Sequence, residues 1–383
     1  MKKEGHCPDE MSTDGAKSAK TTQARRYQPQ DKERVLEIIE RVWNTAIKED
    51  HAFLWDWKHV LDATARNDCH VAQVVERNGR VVGYCGAIPV QYKVGGKIVE
   101  GAACMDIFTD PESRGSGVRL IKHLLNGVEI LIGAAVPRSK ELWHKLKNGD
   151  RIIVREVRKM VYLLDPTPLL RQKGLPEFLL PLFKKLWSVY DRFRFSRTAI
   201  SRASLKRLER IDRFPIAVDA LALEFSERFL CIAMRDHRSL NWRFSSCPFQ
   251  YEKRLLWDGD RLVGYIVYRI CKMNGRKVML LVEILAIDRQ DENYEIMLSH
   301  LEQVSQVLQV SDIQTIDPGC DALRHQLKRR GYFMKKEKIP VIGHIRRDLG
   351  LESDFYHDRN WYLSLGDADF EFVLFKQGIT TIV

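Results

Sequence analysis

The sequence predicts an α/β fold made of two copies of one domain, and three observations carry that prediction. Apolar residues recur at helical spacing in some segments and in short strand-like runs in others. Arg80-Val-Val-Gly-Tyr84 returns as Arg261-Leu-Val-Gly-Tyr265, and His144-Lys-Leu-Lys147 as His325-Gln-Leu-Lys328, both at an offset of 181 residues. Leu54-Trp-Asp-Trp57 has a looser echo in Leu240-Asn-Trp-Arg243. Two motifs in the same order at one offset mark an internal repeat. Finally, a strand-like run, Gly101 to Thr109, passes through a turn with two closely spaced glycines into a helix-like run, Val118 to Leu125.

Taken in order, residues 1–26 are polar with no apolar signal-peptide core, and read as a disordered tail. Val35, Leu36, Ile38, Ile39 and Val42 predict a helix over 31–43, and the Trp-rich stretch 52–68 a second one. His70 to Glu76, the turn Asn78-Gly79 and Arg80 to Val90 read as a β-hairpin. Gly95-Gly96 turns into a strand over 97–109. A helix follows at 117–127, a strand at 129–136, a helix at 137–147 and a closing strand or strand pair at 151–164. This gives a first domain at 27–165, a basic helical linker at 166–215, a second copy at 216–350 and a C-terminal extension at 351–383. The chain has 383 residues, enough to bury a core in each copy.

Composition sets the setting. The hydrophobic share is 45% and the charged share 30%, which is ordinary for a soluble protein. No apolar run is long enough to span a bilayer. The eight cysteines are scattered, with no Cys-x-x-Cys pair, which argues against a metal site or a disulfide framework and for a reducing, cytoplasmic setting. The net charge of +11 suits a phosphorylated ligand, an acidic carrier protein, nucleic acid or an anionic surface, without choosing among them. Residues 183–213 hold ten Lys or Arg against three acids, just after Phe178, Leu179, Leu180 and Leu182. That stretch reads first as a connector packing its apolar side on both domains. Peripheral membrane contact through 178–213 is the rival reading, and no specific nucleic acid is expected.

The chemistry concentrates in Asp110-Pro-Glu-Ser-Arg114-Gly-Ser-Gly117-Val-Arg119-Leu120. Glycines let the backbone turn tightly and approach a ligand. A turn feeding a helix N-terminus points free N–H groups at one spot, where the helix dipole favours an anion. The Lys-Ser/Thr ending of an NTP-binding loop is absent, and Leu120 stands where a dinucleotide fingerprint needs a third glycine. In the second copy the corresponding stretch, Asp288 to Glu295, has no glycine and four acids, and would repel a phosphate.

With the strand before it and the helix after it, this loop resembles the central motif of the GNAT acyltransferase superfamily, Gln/Arg-x-x-Gly-x-Gly/Ala. Arg114 and Gly117 match that motif, and Asp110-Pro111 matches its usual lead-in; Arg119 departs, since a small residue is usual there. The resemblance extends well over 27–164 and weakly over 216–345. It implies two tandem GNAT-like domains, each a mixed, mostly antiparallel sheet flanked by helices, the second degenerate. It also implies that acetyl-CoA or another acyl-CoA lays its pyrophosphate on the amides of Gly115, Ser116, Gly117, Val118 and Arg119. Its pantetheine arm would pair with the backbone of Ile107, Phe108 and Thr109. No metal is called for.

The reaction implied is direct attack of a primary amine on the thioester, N-acetylation foremost, with an amino sugar as one candidate acceptor. A neutral amine needs a base. Asp106, a carboxylate within the apolar strand Cys104 to Phe108, is the first candidate, with a structural hydrogen-bonding or ammonium-anchoring role as its rival. Glu100 is a weaker candidate, and Cys104 reads as core. Trp143 stands where many relatives place an acidic Tyr, and indole is no proton donor for a thiolate. Trp55, Trp57, Trp242 and Trp361 read as core more than as a cleft. The ending Asn360 to Asp369 resembles that of a bacterial subset of tandem GNAT-like proteins tied to surface polysaccharide. The second copy would shape the acceptor site or a homodimer. Rival readings are an aminoacyl-tRNA-dependent transferase resembling the Fem enzymes, an acyl-carrier-protein donor, and a non-catalytic acyl-CoA-binding module.

Overall fold

The structure is a computed structural model that describes residues 22–373 and 380–381, apart from 43–44, 60–71, 114, 135–142, 144–152, 197–205, 274, 288–289, 358–359 and 369. Its first half runs β1 (Thr22–Arg26), α1 (Lys32–Val42), α2 (Thr45–His59), β2 (Gln73–Arg77), β3 (Arg80–Val94), β4 (Lys97–Thr109), α3 (Ser116–Gly127), β5 (Ile130–Ala134) and β6 (Ile153–Leu163). The linker region carries α4 (Thr167–Gln172) and α5 (Leu180–Ser196). The second half runs β7 (Arg207–Ile211), α6 (Ala217–Ser226), β8 (Cys231–Ala233), α7 (His237–Phe244), β9 (Glu252–Asp258), β10 (Arg261–Met273), β11 (Arg276–Ala286), α8 (Gln290–Val307), β12 (Asp312–Ile316), α9 (Asp321–Arg329) and β13 (Phe333–Ile345).

The order β2-β3-β4-α3-β5 recurs as β9-β10-β11-α8-β12, and the irregularities recur with it. The first hairpin shifts register at Val82, between the pairs Gly83–Val75 and Val81–Glu76. The second shifts at Val263, between Gly264–Leu256 and Leu262–Trp257. Each bulge sits beside the glycine of its Arg-x-Val-Gly-Tyr motif. A Cβ at Gly83 would lie 2.9 Å from Val75 Cγ1, and one at Gly264 would lie 2.7 Å from the Leu285 carbonyl, so both positions exclude larger residues.

The fold is α/β with a large, mostly antiparallel sheet flanked by helices, in which the two halves join edge to edge. The strand order is β1-β2-β3-β4-β5-β13-β6-β12-β11-β10-β9-β7. The closing strand of each repeat crosses to the other half: β13 pairs with β5, β6 pairs with β12, and β6 and β13 pair with each other in the middle. This exchange leaves no sheet edge at the junction and couples the halves through backbone hydrogen bonds.

Order begins earlier than the polar N-terminus suggests. β1 lies within the stretch read as a tail, pairing antiparallel with β2. Arg25 explains it: its guanidinium reaches Asp31 at 2.7 Å and Glu76 at 2.5 Å, pinning the strand by its side chain. The linker also departs from expectation. Instead of packing on both halves, α5 leaves Leu182, Phe183, Leu186 and Val189 exposed. The six described cysteines are buried and form no disulfide with one another.

Candidate functional site

The site is assembled on β4. That strand pairs with β3 through Thr109, but with β5 only from Gly101 to Cys104. β4 and β5 run parallel and then part, so in the described ladders the β5-facing edge of Met105 to Thr109 carries no strand. At the parting point β4 is bulged: Gly86 faces Asp106 while Ala87 faces Cys104, leaving Met105 as the extra residue. The bulge turns Met105 and Asp106 to the same face, with Met105 in the main core and Cys104 on the opposite, α3-packed side.

Asp106 is buried and closely held. Its Oδ2 lies 2.7 Å from Lys58 Nζ and 3.6 Å from His51 Nδ1, both on α2, and all three side chains are under one-tenth exposed. His51 and Lys58 are seven residues apart, which is two helical turns, so both face the strand. The His51 ring meets Phe108 edge-on at 5.2 Å. Sequence reading picked Asp106 alone; the partner ammonium and imidazole lie 48 and 55 residues away in sequence and carry no local signal.

Past Thr109 the chain turns into α3. Gly115 has φ +83° in the left-handed region, which favours glycine, and a Cβ there would meet nothing within 4 Å. The Ser116 amide closes the turn onto the Ser113 carbonyl, and the Arg119 amide makes the first helical bond to the Gly115 carbonyl. The Gly117 and Val118 amides lie between them in the first turn, where helix geometry supplies no acceptor. The Ser116 hydroxyl is buried with no hydrogen-bond partner among the described residues. The expected five-amide cradle therefore narrows: Arg119's amide is already used, and its guanidinium donates to the Thr22 carbonyl at 2.6 Å, tying β1 to α3. Arg114 lies outside the described residues, as does His144. Of the two acids leading into the loop, Asp110 is paired with Arg41 at 2.7 Å and Arg34 at 3.1 Å from α1, and Glu112 is exposed, 3.5 Å from Arg41. Those arginines, 69 and 76 residues upstream, were not singled out in the sequence.

The second half repeats the strand geometry with a different filling. β11 and β12 are parallel only over Val278 to Leu280, and Val282 is the extra residue between the pairs Val267–Glu283 and Tyr268–Leu281. Here the C-terminal segment occupies the parting. The Leu363 amide donates to the Pro318 carbonyl just past β12, the Gly366 amide to the Val282 carbonyl, and the Tyr362 hydroxyl to the Ile284 carbonyl. At the start of α8, Asp291 and Glu292 occupy the first turn, and Lys206 lies 2.7 Å from Asn293 Oδ1 and 3.1 Å from Glu292. The protein's own charges thus sit where an anion would sit.

Between the halves lies a small cleft, lined in part by Ile88, Tyr92, Arg235, Trp242, Glu283 and Asp367. Arg235 lies 2.7 Å from Asp367 and 3.4 Å from Glu283. Burial pushes the Glu283 carboxyl up, Arg235 opposes this, and Asp367 adds to it. The cleft's wall is rigid: Trp242 stacks on Trp57 at 4.7 Å, and the Trp57 indole N–H donates to the Trp242 carbonyl at 3.0 Å. Trp55 and Trp361 are buried in the core. Trp143 is buried too, its indole N–H without a partner among the described residues.

The site is thus framed by a splayed parallel strand pair beside a helix that starts at a left-handed glycine. Residues 23–129 match the family model described as an acetyltransferase (GNAT) domain, and the chain carries a GNAT domain over that span. Among curated proteins, none matches the sequence significantly. Several solved structures share the fold. One is a GCN5-related N-acetyltransferase from Anabaena variabilis, 12% identical, with a TM-score of 0.56 over 85% of this chain and 73% of that one. Another is a probable N-acyltransferase from Enterococcus faecalis, 12% identical, with a TM-score of 0.55 over 88% and 74%. A third is Saccharomyces cerevisiae N-myristoyltransferase, solved with myristoyl-CoA, 13% identical, with a TM-score of 0.53 over 85% and 79%. At these identities the likeness is one of fold.

Proposed function

We propose that this protein is an acyl-CoA-dependent N-acyltransferase in which the first half holds the donor and the cleft between the halves receives a primary amine. The observation that carries the proposal is that the described β4–β5 ladder ends at Cys104, so that Ile107 to Thr109 run without a β5 partner among the described residues into the start of α3. The pantetheine arm carries amide groups and suits an unpaired strand edge along Ile107, Phe108 and Thr109. Its pyrophosphate suits the Gly117 and Val118 amides, with the hydroxyl of Ser116 and the turn at Gly115 close by. Arg114 is included on the family motif alone. Arg119 serves the site by fixing α3 to β1.

The bulge takes Met105 out of the regular register near the point where the thioester would lie, and we assign its main-chain amide to polarise the thioester carbonyl. Gly86 faces Asp106, and Ile88 of the cleft lies two residues further along β3, roughly 7 Å by strand geometry. An amine in the cleft can therefore approach the bulge. We assign Asp106, with His51 beside it, to take up the proton that the amine loses as the new C–N bond forms. The CoA thiolate leaves and is protonated by solvent. Lys58 orients the carboxylate. The second half acts as a degenerate GNAT-like copy that builds the cleft wall.

Release of free CoA thiol tests this reading, with acetyl-CoA and longer acyl-CoAs offered against a panel of amines that includes amino sugars. The proposal expects amine-dependent release, lost in Asp106→Asn. The tight Lys58–Asp106 pair also favours a second reading, a domain that binds acyl-CoA without turning it over. Binding retained with no release on any amine would support that alternative.

A further inference from the structure

We infer that α5 docks this protein on an anionic lipid surface. The helix packs inward through Leu180, and its main neighbours among the described elements are α4 and the turn at Glu177–Leu179. Leu182 is 54%, Leu186 59% and Val189 51% exposed, and Phe178, just before the helix, is 79% exposed. At about 100° per residue, Leu182, Leu186 and Val189 fall within roughly 60° of one another, on one stripe. Phe183 borders that stripe and is 39% exposed. A globular protein rarely leaves such a stripe in water.

Charge decides what covers the stripe. α5 carries Lys184, Lys185, Arg192 and Arg194 against the single acid Asp191. Lys184 and Lys185 are exposed, and the nearest carboxylate to Lys184, Asp165, is 4.0 Å away, beyond hydrogen bonding. The core of a protein interface is depleted in lysine. An apolar stripe bordered by Lys185, with Lys184 on the water side of the helix, instead matches a helix lying in the membrane interface under lipid headgroups. The chain's excess of 62 basic over 51 acidic residues acts in the same direction. No helix among the described residues is long and apolar enough to cross a membrane, so the contact is peripheral. This inference does not rest on the acyl-transfer reading.

Flotation of the full chain with vesicles tests it. One set contains phosphatidylcholine alone, and the other mixes phosphatidylcholine with phosphatidylglycerol. Binding to the mixed vesicles only, weakened by salt, is expected. Leu186→Glu should abolish it, and Lys184→Gln with Lys185→Gln should weaken it roughly tenfold to thirtyfold. Near-ultraviolet circular dichroism should match the parent for each variant, since these residues are exposed. No binding to anionic vesicles overturns the inference, as does binding unchanged by Leu186→Glu. A concentration-dependent dimer in light scattering that Leu186→Glu breaks, without vesicle binding, also overturns it and assigns the face to a second copy.

Discussion

Asp106 and Glu283 occupy the same place in the two repeats: each follows the bulged residue of its strand and faces a residue of the preceding strand, Gly86 or Val267, and those two are themselves 181 residues apart. Both are buried against a cation, Lys58 for Asp106 and Arg235 for Glu283. What differs is the space beside them. The second half fills its strand parting with the C-terminal segment, whose Ser364 hydroxyl donates to Glu283. The two halves thus share the strand and bulge pattern and differ in what fills the parting.

The buried pair of Lys58 and Asp106 yields the first prediction. Removing one partner leaves the other charged and desolvated. Lys58→Met should therefore cost about 3–5 kcal/mol of unfolding free energy, and the double variant Lys58→Met, Asp106→Leu should recover most of it. Urea unfolding of the two single variants and the double variant measures the coupling; additive costs would remove the pair from the stability account.

Gly115 yields the second. A side chain there meets open space but must adopt a left-handed backbone, at about 1–2 kcal/mol. Gly115→Ala should lose that much in thermal unfolding, and should weaken acyl-CoA because the turn sets the amides that follow. An unchanged melting point would mean that the loop relaxes without strain.

The interface between the halves yields the third. Trp242→Ala deletes the ring stacked on Trp57 and should destabilise by about 3–5 kcal/mol. A single unfolding transition should persist, because the exchanged strands β6 and β13 still bind the halves together. Two separate transitions would show that the stack, rather than the strand exchange, makes the halves cooperative.

Acid sensitivity yields the fourth. Burial, aided by Arg254, depresses His300 to about 4, against an ordinary 6.5. The unfolded chain binds this proton first, so stability should fall as pH drops from about 6.5 toward 4 and level off below. Burial alone would raise Glu371, but Arg269 and Arg243 overcome it and hold its carboxyl below 4.5. Its contribution is present above 4.5 and lost as pH falls further. His300→Gln should flatten the melting-point curve between about 6.5 and 4 while leaving the steeper acid loss; a parallel curve would contradict the assignment.

The sequence made the first half legible because its signals are local. A glycine loop between a strand and a helix, an Asn-Gly hairpin and an apolar strand holding one carboxylate can each be read within a dozen residues. The repeat was legible through the Arg-x-Val-Gly-Tyr motifs, whose glycines are required by close packing at Gly83 and Gly264. What escaped reading depends on distant partners. Nothing near Asp106 announces Lys58, and nothing near Asp110 announces Arg34 and Arg41. The exchange of β6 and β13 is a choice of pairing partner, which strand patterns do not encode. Nothing near Arg119 announces the tie of its guanidinium to the Thr22 carbonyl, 97 residues away. The linker misled for another reason: apolar residues at helical spacing predict a buried face, and on α5 that face is exposed.

The most direct test of the central claim, that the first-half loop and its open strand hold the acyl donor, is calorimetric titration of acetyl-CoA and a longer acyl-CoA into the full chain and into Gly117→Asp. The account predicts one donor bound per chain, with binding lost when a carboxylate is placed at the start of α3. No binding of either donor to the parent chain, or equal affinity in Gly117→Asp, would contradict it.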